Sequence, residues 1–291
     1  IEYFGGEYKL KNKAQAIKEN SLIEFSLEDN NPYEIYTVYK SYKAFNDKKD
    51  LINFTYPNID YIIFLDSDDY WELSCIEECV PRMDGVDILW FDVKTILDGV
   101  NYDKWNSEMK VYGYSKETII SSLDWLMKSK KIEYFWFAWQ GMINFTFLKN
   151  IKLKFIDRII HEDHHFGSLL FAQAKYIYIY PKENYTYRIR DNSIMNNTGV
   201  KIYSKSYLYD LYLSFSKNML NFKSYLKAYS FLMTFLEFDD FVRKYKDKTI
   251  ASYFYQIFLK HPARESWNLY YFDNDPYCAK DGLSKVQFYF K

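Results

Sequence analysis

The stretch Tyr61-Ile62-Ile63-Phe64-Leu65-Asp66-Ser67-Asp68-Asp69-Tyr70-Trp71 decides the fold class. Five consecutive apolar residues followed at once by carboxylates are typical of a buried central strand that ends at a functional loop. Residues 71 to 80 then have helical spacing, and a second buried strand is predicted at residues 88 to 91. Strand, helix and strand in this order predict an α/β fold.

The later segments predict further helices and strands. Ser115 is the predicted cap of a helix that runs to Met127, and another helix is predicted to begin at residues 161 to 165. A strand is predicted from Tyr176 to Tyr180, closed by Pro181. The polar segment of residues 9 to 60 has one candidate strand, at residues 35 to 39.

Beyond residue 200 the sequence changes to aromatic helices. An amphipathic stripe runs through Leu208, Leu211, Tyr212, Phe215 and Met219. Such a stripe packs on the core of the protein or docks on a membrane surface or a partner, and both interpretations are open here. We therefore expect an α/β domain at residues 1–200 and a helical C-terminal region at residues 201–291.

Composition excludes several classes of protein. Among 291 residues, 38 Lys and Arg oppose 39 Asp and Glu, so no overall field favours nucleic acid. The three cysteines, without CxxC spacing, suit a reducing compartment rather than a disulfide framework. No apolar run reaches the roughly 18 residues of a membrane span. We expect a cytoplasmic protein, with peripheral membrane contact through its C-terminal helices as the open alternative.

The acidic loop predicts a metal site. Asp66 and Asp68 lie one residue apart at the end of a buried strand, where two carboxylates can converge on Mg²⁺ or Mn²⁺. Such an ion bridges diphosphate oxygens and stabilises a leaving nucleoside diphosphate. A D-x-D pattern alone is weak because many Asp-rich turns are merely solvated, but the preceding strand strengthens it.

A second carboxylate pair, Glu162-Asp163, is predicted at the start of a helix. Acidic residues there can be simple capping groups, or one of them can be the base that deprotonates an acceptor hydroxyl. The same segment, His161-Glu162-Asp163-His164-His165, satisfies H-E-x-x-H, so a zinc hydrolase that uses His161 and His165 is a third interpretation. The extended appearance of residues 152 to 160 disfavours the continuous helix that a zinc protease needs.

Two arginines, Arg188 and Arg190, follow the last predicted core strand. On alternate positions of an extended segment they point the same way and can bind phosphate oxygens together. The chain has only six arginines, so two of them here indicate an anion site.

Three segments together resemble the inverting, non-processive GT-A glycosyltransferases of family two. They are the strand with its D-x-D loop at residues 61–71, the acidic-pair segment at residues 160–167, and Tyr185-Thr-Tyr-Arg-Ile-Arg-Asp-Asn-Ser-Ile194. Trp139-Gln140 is a weaker match to the acceptor side. The resemblance covers about residues 1 to 8 and 60 to 200, and its pattern is similar to that of bacterial enzymes that build lipopolysaccharide or capsule.

The resemblance implies a Rossmann-like GT-A fold, a mixed sheet flanked by helices, with a helical C-terminal region. It also implies a role for each matching residue. Asp66 would contact the donor, Asp68 and Asp66 would bind Mn²⁺ or Mg²⁺, and Arg188 and Arg190 would lie near the diphosphate. Asp163 would be the base, with Glu162 as the alternate, and Trp139 and Gln140 would contact the acceptor.

Two departures from the family pattern affect these expectations. The family's first strand and its Asp-Asp-Gly-Ser nucleotide loop are not found, so we expect the chain to lack the N-terminal part of the domain. Residues 9 to 60 are expected to be an insertion ahead of the D-x-D strand.

The resulting functional prediction is a metal-dependent inverting hexosyltransferase. It would move one sugar from a nucleotide-sugar donor, expected to be a UDP-sugar, to a glycan or lipid-linked glycan in bacterial surface polysaccharide or lipopolysaccharide synthesis. This activity would lie in the cytoplasm, at the inner face of the bacterial inner membrane. The alternative from another class is a noncatalytic carbohydrate-binding or scaffold remnant of such an enzyme.

Overall fold

A computed structural model describes residues 4–10, 13–16, 36–43, 59–66, 69–98, 107–132, 135–190, 202 and 208–289, and for the first three ranges the description covers the backbone. Residues 1–59 and 60–291 form two compact units, which we describe separately. The first unit holds an antiparallel sheet in the order β2-β1-β3, made of β1 (Phe4–Leu10), β2 (Lys13–Ala16) and β3 (Tyr36–Lys43). The strand predicted at residues 35 to 39 overlaps β3.

The second unit is built on a six-stranded mixed sheet in the order β4-β8-β6-β9-β5, with β7 also paired to β9. Its strands are β4 (Tyr61–Ile63), β5 (Tyr70–Trp71), β6 (Ile88–Asp98), β7 (Thr118–Ile120), β8 (Gly141–Asn144) and β9 (Ile177–Arg190). β8 is antiparallel to both β4 and β6, and β6 is parallel to β9. The carboxyl ends of β4, β6 and β9 therefore lie along one edge of the sheet.

Helices flank this sheet and form the C-terminal region. They are α1 (Cys75–Cys79), α2 (Glu108–Val111), α3 (Ser122–Ser129), α4 (Phe145–Ile151), α5 (Glu162–Gln173), α6 (Tyr209–Ser214), α7 (Met219–Lys244), α8 (Lys248–Phe258), α9 (Lys260–Ser266) and α10 (Leu283–Tyr289). Short 3₁₀ helices lie at Val80–Met83, Trp267–Tyr271 and Ala279–Gly282. The mixed sheet with flanking helices confirms the predicted α/β class. The domain division predicted at residue 200 stays a prediction.

The helix predicted from residue 71 begins later than expected. Trp71 belongs to β5 and pairs with Tyr185 of β9, so it is extended, and α1 starts only at Cys75. The helix predicted from Ser115 is also wrong in its first half. The β-branched run Thr118–Ile120 forms β7 on β9, and α3 is capped by Ser121, which forms a capping box with Asp124.

The strand predicted to close at Pro181 continues to Arg190. The pairing register between β6 and β9 shifts here, from Phe91 opposite Tyr180 to Asp92 opposite Glu183. A bulge accommodates proline, which lacks the N–H that a regular ladder needs. Because β9 continues to Arg190, the predicted arginine segment is part of the sheet and lies at the edge where β4 ends.

The predicted amphipathic stripe of residues 208 to 219 does not form one helix. α6 ends at Ser214, Ser216 and Lys217 have left-handed φ angles of 51° and 61°, and the side chain of Asn218 caps α7. No helix among the described residues is both long and apolar enough to cross a membrane.

Aromatic side chains fill the core on one side of the sheet. Trp90 of β6 is 1% exposed and makes edge contacts with Phe135 and Phe171, both at 5.5 Å. Trp125 of α3 stacks on Phe258 of α8 at 5.2 Å. Much of the chain's high aromatic content therefore serves packing, and the C-terminal helices share this core.

Candidate functional site

The acidic loop follows β4 at the edge of the sheet. Asp66 is exposed, and its backbone N–H donates to the Tyr185 hydroxyl at 3.2 Å. The backbone N–H of Asp69 donates to the Asp66 carbonyl at 3.2 Å. Ser67 and Asp68 lie outside the described residues. An exposed Asp66 carboxylate at this position has the oxygen ligand type that Mg²⁺ and Mn²⁺ prefer.

Asp69 joins this loop to β9. Its Oδ2 accepts from the Tyr185 hydroxyl at 2.7 Å, and its Oδ1 accepts from the Arg188 backbone N–H at 2.8 Å. Tyr185 is fully buried, and burial together with the bond to Asp69 raises the pKa of its hydroxyl. The sequence pattern did not mark Asp69 or Tyr185 as site residues. The only signal for them was their position, directly after D-x-D and at the start of the arginine segment.

The arginine segment lies in β9, so the extended conformation predicted for it is confirmed. Arg188 is half-buried, and Arg190 is the last residue of the strand. Trp139 stacks on the rings of Tyr185 and Tyr187, at centroid distances of 4.6 Å and 5.2 Å. Trp139 therefore packs against the face of β9 that Tyr185 and Tyr187 share, and Arg188 occupies the alternate position of the strand.

Gln140 is buried rather than presented to solvent. Its side-chain amide is oriented so that the nitrogen donates to the Trp136 carbonyl at 3.1 Å and the oxygen accepts from Trp136 Nε1 at 2.7 Å. The acceptor-contacting roles of Trp139 and Gln140 stay predictions. In the structure Gln140 holds the aromatic segment of residues 135–139 in place.

The acidic pair lies at the start of α5, where sequence analysis places it. His161 precedes the helix with a left-handed φ of 61°, and the helix begins at Glu162. Glu162 is exposed and Asp163 is half-buried. The Asp163 Oδ1 accepts from the His164 backbone N–H at 3.0 Å, and its carbonyl accepts from the Phe137 N–H at 3.3 Å.

Burial shifts the pKa values of this segment. Removal of water raises the pKa of the carboxyl groups of Asp163 and Glu162. The same cause lowers the pKa of His161 to about 4 and that of His164 to about 3. Behind them, burial raises the pKa of Glu108 well above its ordinary range, although its Oε1 accepts from the Trp136 N–H at 3.3 Å. At neutral pH the imidazoles are therefore neutral.

Three side chains of this segment converge. One ligand atom from each of His161, Asp163 and His164 lies within 4.8 Å of the others. His165 points elsewhere: it is 2% exposed, neither ring nitrogen has a hydrogen-bond partner among the described residues, and it stacks on Phe238 at 6.1 Å. The H-E-x-x-H geometry of a zinc protease is therefore not formed, because His161 lies before the helix rather than one turn below His165.

Apolar contacts bring the acidic pair near the acidic loop. Phe64, two residues before Asp66, makes edge contacts with Phe155 at 5.5 Å and with Phe166 of α5 at 6.0 Å. Phe166 lies one helical turn beyond Asp163. All three predicted motifs therefore lie around the same edge of the sheet.

The C-terminal helices cover the start of α5. The Ile160 N–H donates to Ser230 Oγ of α7 at 3.0 Å, and Phe231 stacks on His161 with a centroid distance of 5.4 Å. His164 also contacts the edge of Phe231, at 6.2 Å. Residues from the predicted helical C-terminal region thus help to position the acidic pair.

Comparison of the sequence with models of known protein families and with curated proteins finds no match. Among solved structures, the chain is similar to S. aureus TarS residues 1–349 in complex with UDP-GlcNAc, at 15% identity and a TM-score of 0.38 over 79% of this chain and 67% of that chain. It is similar to the same TarS fragment in complex with UDP, at 14% identity and a TM-score of 0.36 over 80% of this chain and 67% of that chain. Against a longer TarS chain it has 13% identity and a TM-score of 0.35, over 79% of this chain and 40% of that chain. A TM-score below 0.5 does not establish a shared fold, so the function below is proposed from the residues of this chain.

Proposed function

We propose that this protein is a glycosyltransferase that moves one sugar from a nucleotide-sugar donor to a hydroxyl group of a glycan acceptor. The observation that carries the proposal is the Asp69 carboxylate, which bonds the acidic loop to the strand of Arg188 across 119 residues of sequence. This bond joins the acidic loop to the strand that holds Arg188. Recognition of a diphosphate needs carboxylates that hold a bridging cation and basic side chains that bind the phosphate oxygens.

The donor side would be formed by the loop and by β9. Asp66 and Asp68 would hold Mg²⁺ or Mn²⁺, and this ion would supply charge neutralisation for the leaving diphosphate. Arg188 and Arg190 would bind diphosphate oxygens, because guanidinium groups bind two such oxygens at once. Three further parts of the proposal rest on the family resemblance alone. They are a UDP-sugar as the donor, a role in bacterial surface polysaccharide or lipopolysaccharide synthesis, and a location at the inner membrane.

The acceptor side would lie at the start of α5. Asp163 would take the proton of the acceptor hydroxyl while that oxygen forms a bond to the anomeric carbon. The bond from the anomeric carbon to the diphosphate oxygen breaks, its electron pair stays on the diphosphate, and the configuration inverts. Glu162, exposed one residue earlier, is the alternate base, and the stack of Trp139 on Tyr187 would provide an apolar face for a sugar ring.

A panel of nucleotide sugars, incubated with the protein and Mn²⁺, tests the proposal through release of nucleoside diphosphate. We expect turnover with at least one donor, and a loss of about 100-fold or more in kcat for Asp163→Asn. Asp68→Asn should raise the Mn²⁺ concentration needed for activity, whereas exposed Asp273→Asn is the control.

The outcomes separate the proposed classes. Near-wild-type turnover of the Asp163→Asn variant would show that Asp163 is not the base. An equal loss of kcat in the Asp273→Asn control would show that the effect is nonspecific. Calorimetric binding of a glycan without turnover of any donor would favour the noncatalytic carbohydrate-binding alternative.

A further inference from the structure

We propose that His161, Asp163 and His164 form a second metal site, selective for Zn²⁺-like ions, whose occupation switches off sugar transfer. The binding part of this inference stands on geometry alone, and the regulatory part rests on the proposed role of Asp163 as base. The site is separate from the acidic loop because its ligands all come from the start of α5.

The spacing of the three side chains suits one small ion. Their ligand atoms lie within 4.8 Å of one another. In a tetrahedral zinc site with bonds of about 2.0–2.1 Å, neighbouring ligand atoms are about 3.3 Å apart. Side-chain rotations would have to bring the ligand atoms closer by up to about 1.5 Å, and three protein ligands would leave a fourth position open.

The chemistry of the ligands selects the ion. Two imidazoles and one carboxylate favour Zn²⁺, Co²⁺ and similar ions, whereas Mg²⁺ prefers a shell of oxygens. The acidic loop offers carboxylates, so the two sites should accept different metals. Mn²⁺ at the loop and Zn²⁺ at the cluster can therefore be distinguished by titration.

The surroundings hold the three ligands in place before any ion binds. The left-handed φ of 61° at His161 is uncommon for a residue other than glycine, and it lets that side chain lie beside the first turn of α5. The ring of Phe231 supports His161, and the N–H of His164 fixes one oxygen of Asp163. Pre-oriented ligands lose little entropy on binding.

The regulatory consequence follows from the shared carboxylate. An ion bound to Asp163 would occupy the carboxylate that is proposed to accept the proton of the acceptor hydroxyl. Sugar transfer and occupation of the metal site would therefore exclude each other. Zinc should then inhibit transfer even when Mn²⁺ saturates the acidic loop. Chelation of the zinc should restore activity.

Co²⁺ is the probe for the binding test, because its visible absorption is much stronger in a four-coordinate site than in an octahedral shell of oxygens. We expect one equivalent of Co²⁺ to produce visible bands that Zn²⁺ displaces. His161→Ala, Asp163→Asn and His164→Ala should each weaken Co²⁺ binding by about tenfold or more. The Asp66→Asn, Asp68→Asn double variant should keep the bands, since the loop does not contribute ligands.

His165→Leu is the matched control on the same helix. It replaces a buried imidazole whose nitrogens have no partner, and it should keep Co²⁺ affinity within about twofold of wild type. Circular dichroism establishes that each variant is folded. The proposal is wrong if the wild-type protein gives no Co²⁺ bands, or if His165→Leu loses as much affinity as His161→Ala, which would indicate the H-E-x-x-H pairing.

An activity measurement tests the regulatory part. The ratio of transfer with and without Zn²⁺, at saturating Mn²⁺, should fall at least tenfold in the wild-type protein and much less in His161→Ala. Co²⁺ binding without detectable transfer would support the metal site and count against the glycosyltransferase proposal. Transfer without Co²⁺ binding would support the glycosyltransferase proposal and overturn the metal site.

Discussion

The Asp69 carboxylate accepts a hydrogen bond of 2.7 Å from the hydroxyl of Tyr185, a residue 116 positions away in sequence. The other oxygen of Asp69 accepts from the Arg188 backbone, and the Tyr185 hydroxyl also accepts from the Asp66 N–H. One carboxylate and one hydroxyl therefore set the spacing between the acidic loop and the arginine strand. This spacing determines whether a diphosphate could contact both.

Tyr185→Phe removes that hydroxyl and keeps the ring that stacks on Trp139. We expect a loss of about 1–3 kcal/mol in the free energy of unfolding, measured with urea, because a bond to a charged group is broken in a partly buried site. Affinity for UDP in the presence of Mn²⁺ should fall as well. Tyr178→Phe, on the same strand, is the control, since its hydroxyl bonds the exposed Glu117. Equal losses in both variants would contradict the special role of Tyr185.

Gly167→Ala tests how closely α5 approaches the aromatic segment. An added Cβ would lie 2.5 Å from Phe137 N and 2.8 Å from Phe137 Cβ, so backbone must move. We expect a loss of about 1–3 kcal/mol in unfolding free energy, the usual cost of overpacking. At Gly282 the nearest atom is a flexible methyl of Leu232, at 3.0 Å. Gly282→Ala should therefore cost far less, and a similar cost at both sites would show that the contact with Phe137 is unimportant.

Glu78→Gln tests a polar cluster that joins α1 to β9. Glu78 accepts from Lys182, from the Tyr180 hydroxyl at 2.7 Å and from Ser74 Oγ at 2.9 Å, and the bond from Lys182 is the main reason that its pKa is lowered to about 2. The Arg82 guanidinium also lies here, bonded to the Glu78 carbonyl and to Glu117.

The direction of the pH effect follows from the lowered pKa. Because the folded protein holds Glu78 ionised below its ordinary pKa of 4.5, this stabilisation is present near neutral pH and is lost as the pH falls toward 2. The urea midpoints of wild type and Glu78→Gln should differ at pH 7 and converge between pH 4.5 and 2. Exposed Glu77→Gln on the same helix is the control. A difference that is constant with pH would exclude this linkage.

Ser121→Ala and Ser115→Ala compare the observed and the predicted cap of α3. Ser121 Oγ accepts from the Asp124 N–H at 3.2 Å, and Asp124 Oδ2 accepts from the Ser121 N–H at 2.9 Å. Loss of such a cap costs about 1 kcal/mol, which thermal unfolding would detect. Exposed Ser115 precedes β7, so its replacement should change stability by less than about 0.5 kcal/mol. A larger effect at Ser115 than at Ser121 would contradict the assigned helix start.

Local pattern determined much of the fold and the candidate site. The apolar run before Asp66, the α/β class, the start of α5 at Glu162 and the extended arginine segment all follow from spacing and residue type, which act between near neighbours in the chain. For the same reason, sequence placed Asp66, Asp163 and Arg188 at the ends of elements, where functional side chains gather.

The tertiary structure decided which of those residues meet. Local pattern could not show that β9 continues through Pro181, because the bulge that accommodates the proline depends on pairing with β6. It could not identify Asp69 and Tyr185 as site residues, because their hydrogen bond forms only when two segments distant in sequence come into contact. The H-E-x-x-H pattern offered the pairing of His161 with His165 only as a disfavoured third interpretation. In the structure, His161 has a left-handed backbone, packs on Phe231 and lies close to Asp163 and His164. Sequence thus determined the kinds of residues and their local conformations, and long-range packing determined their partners.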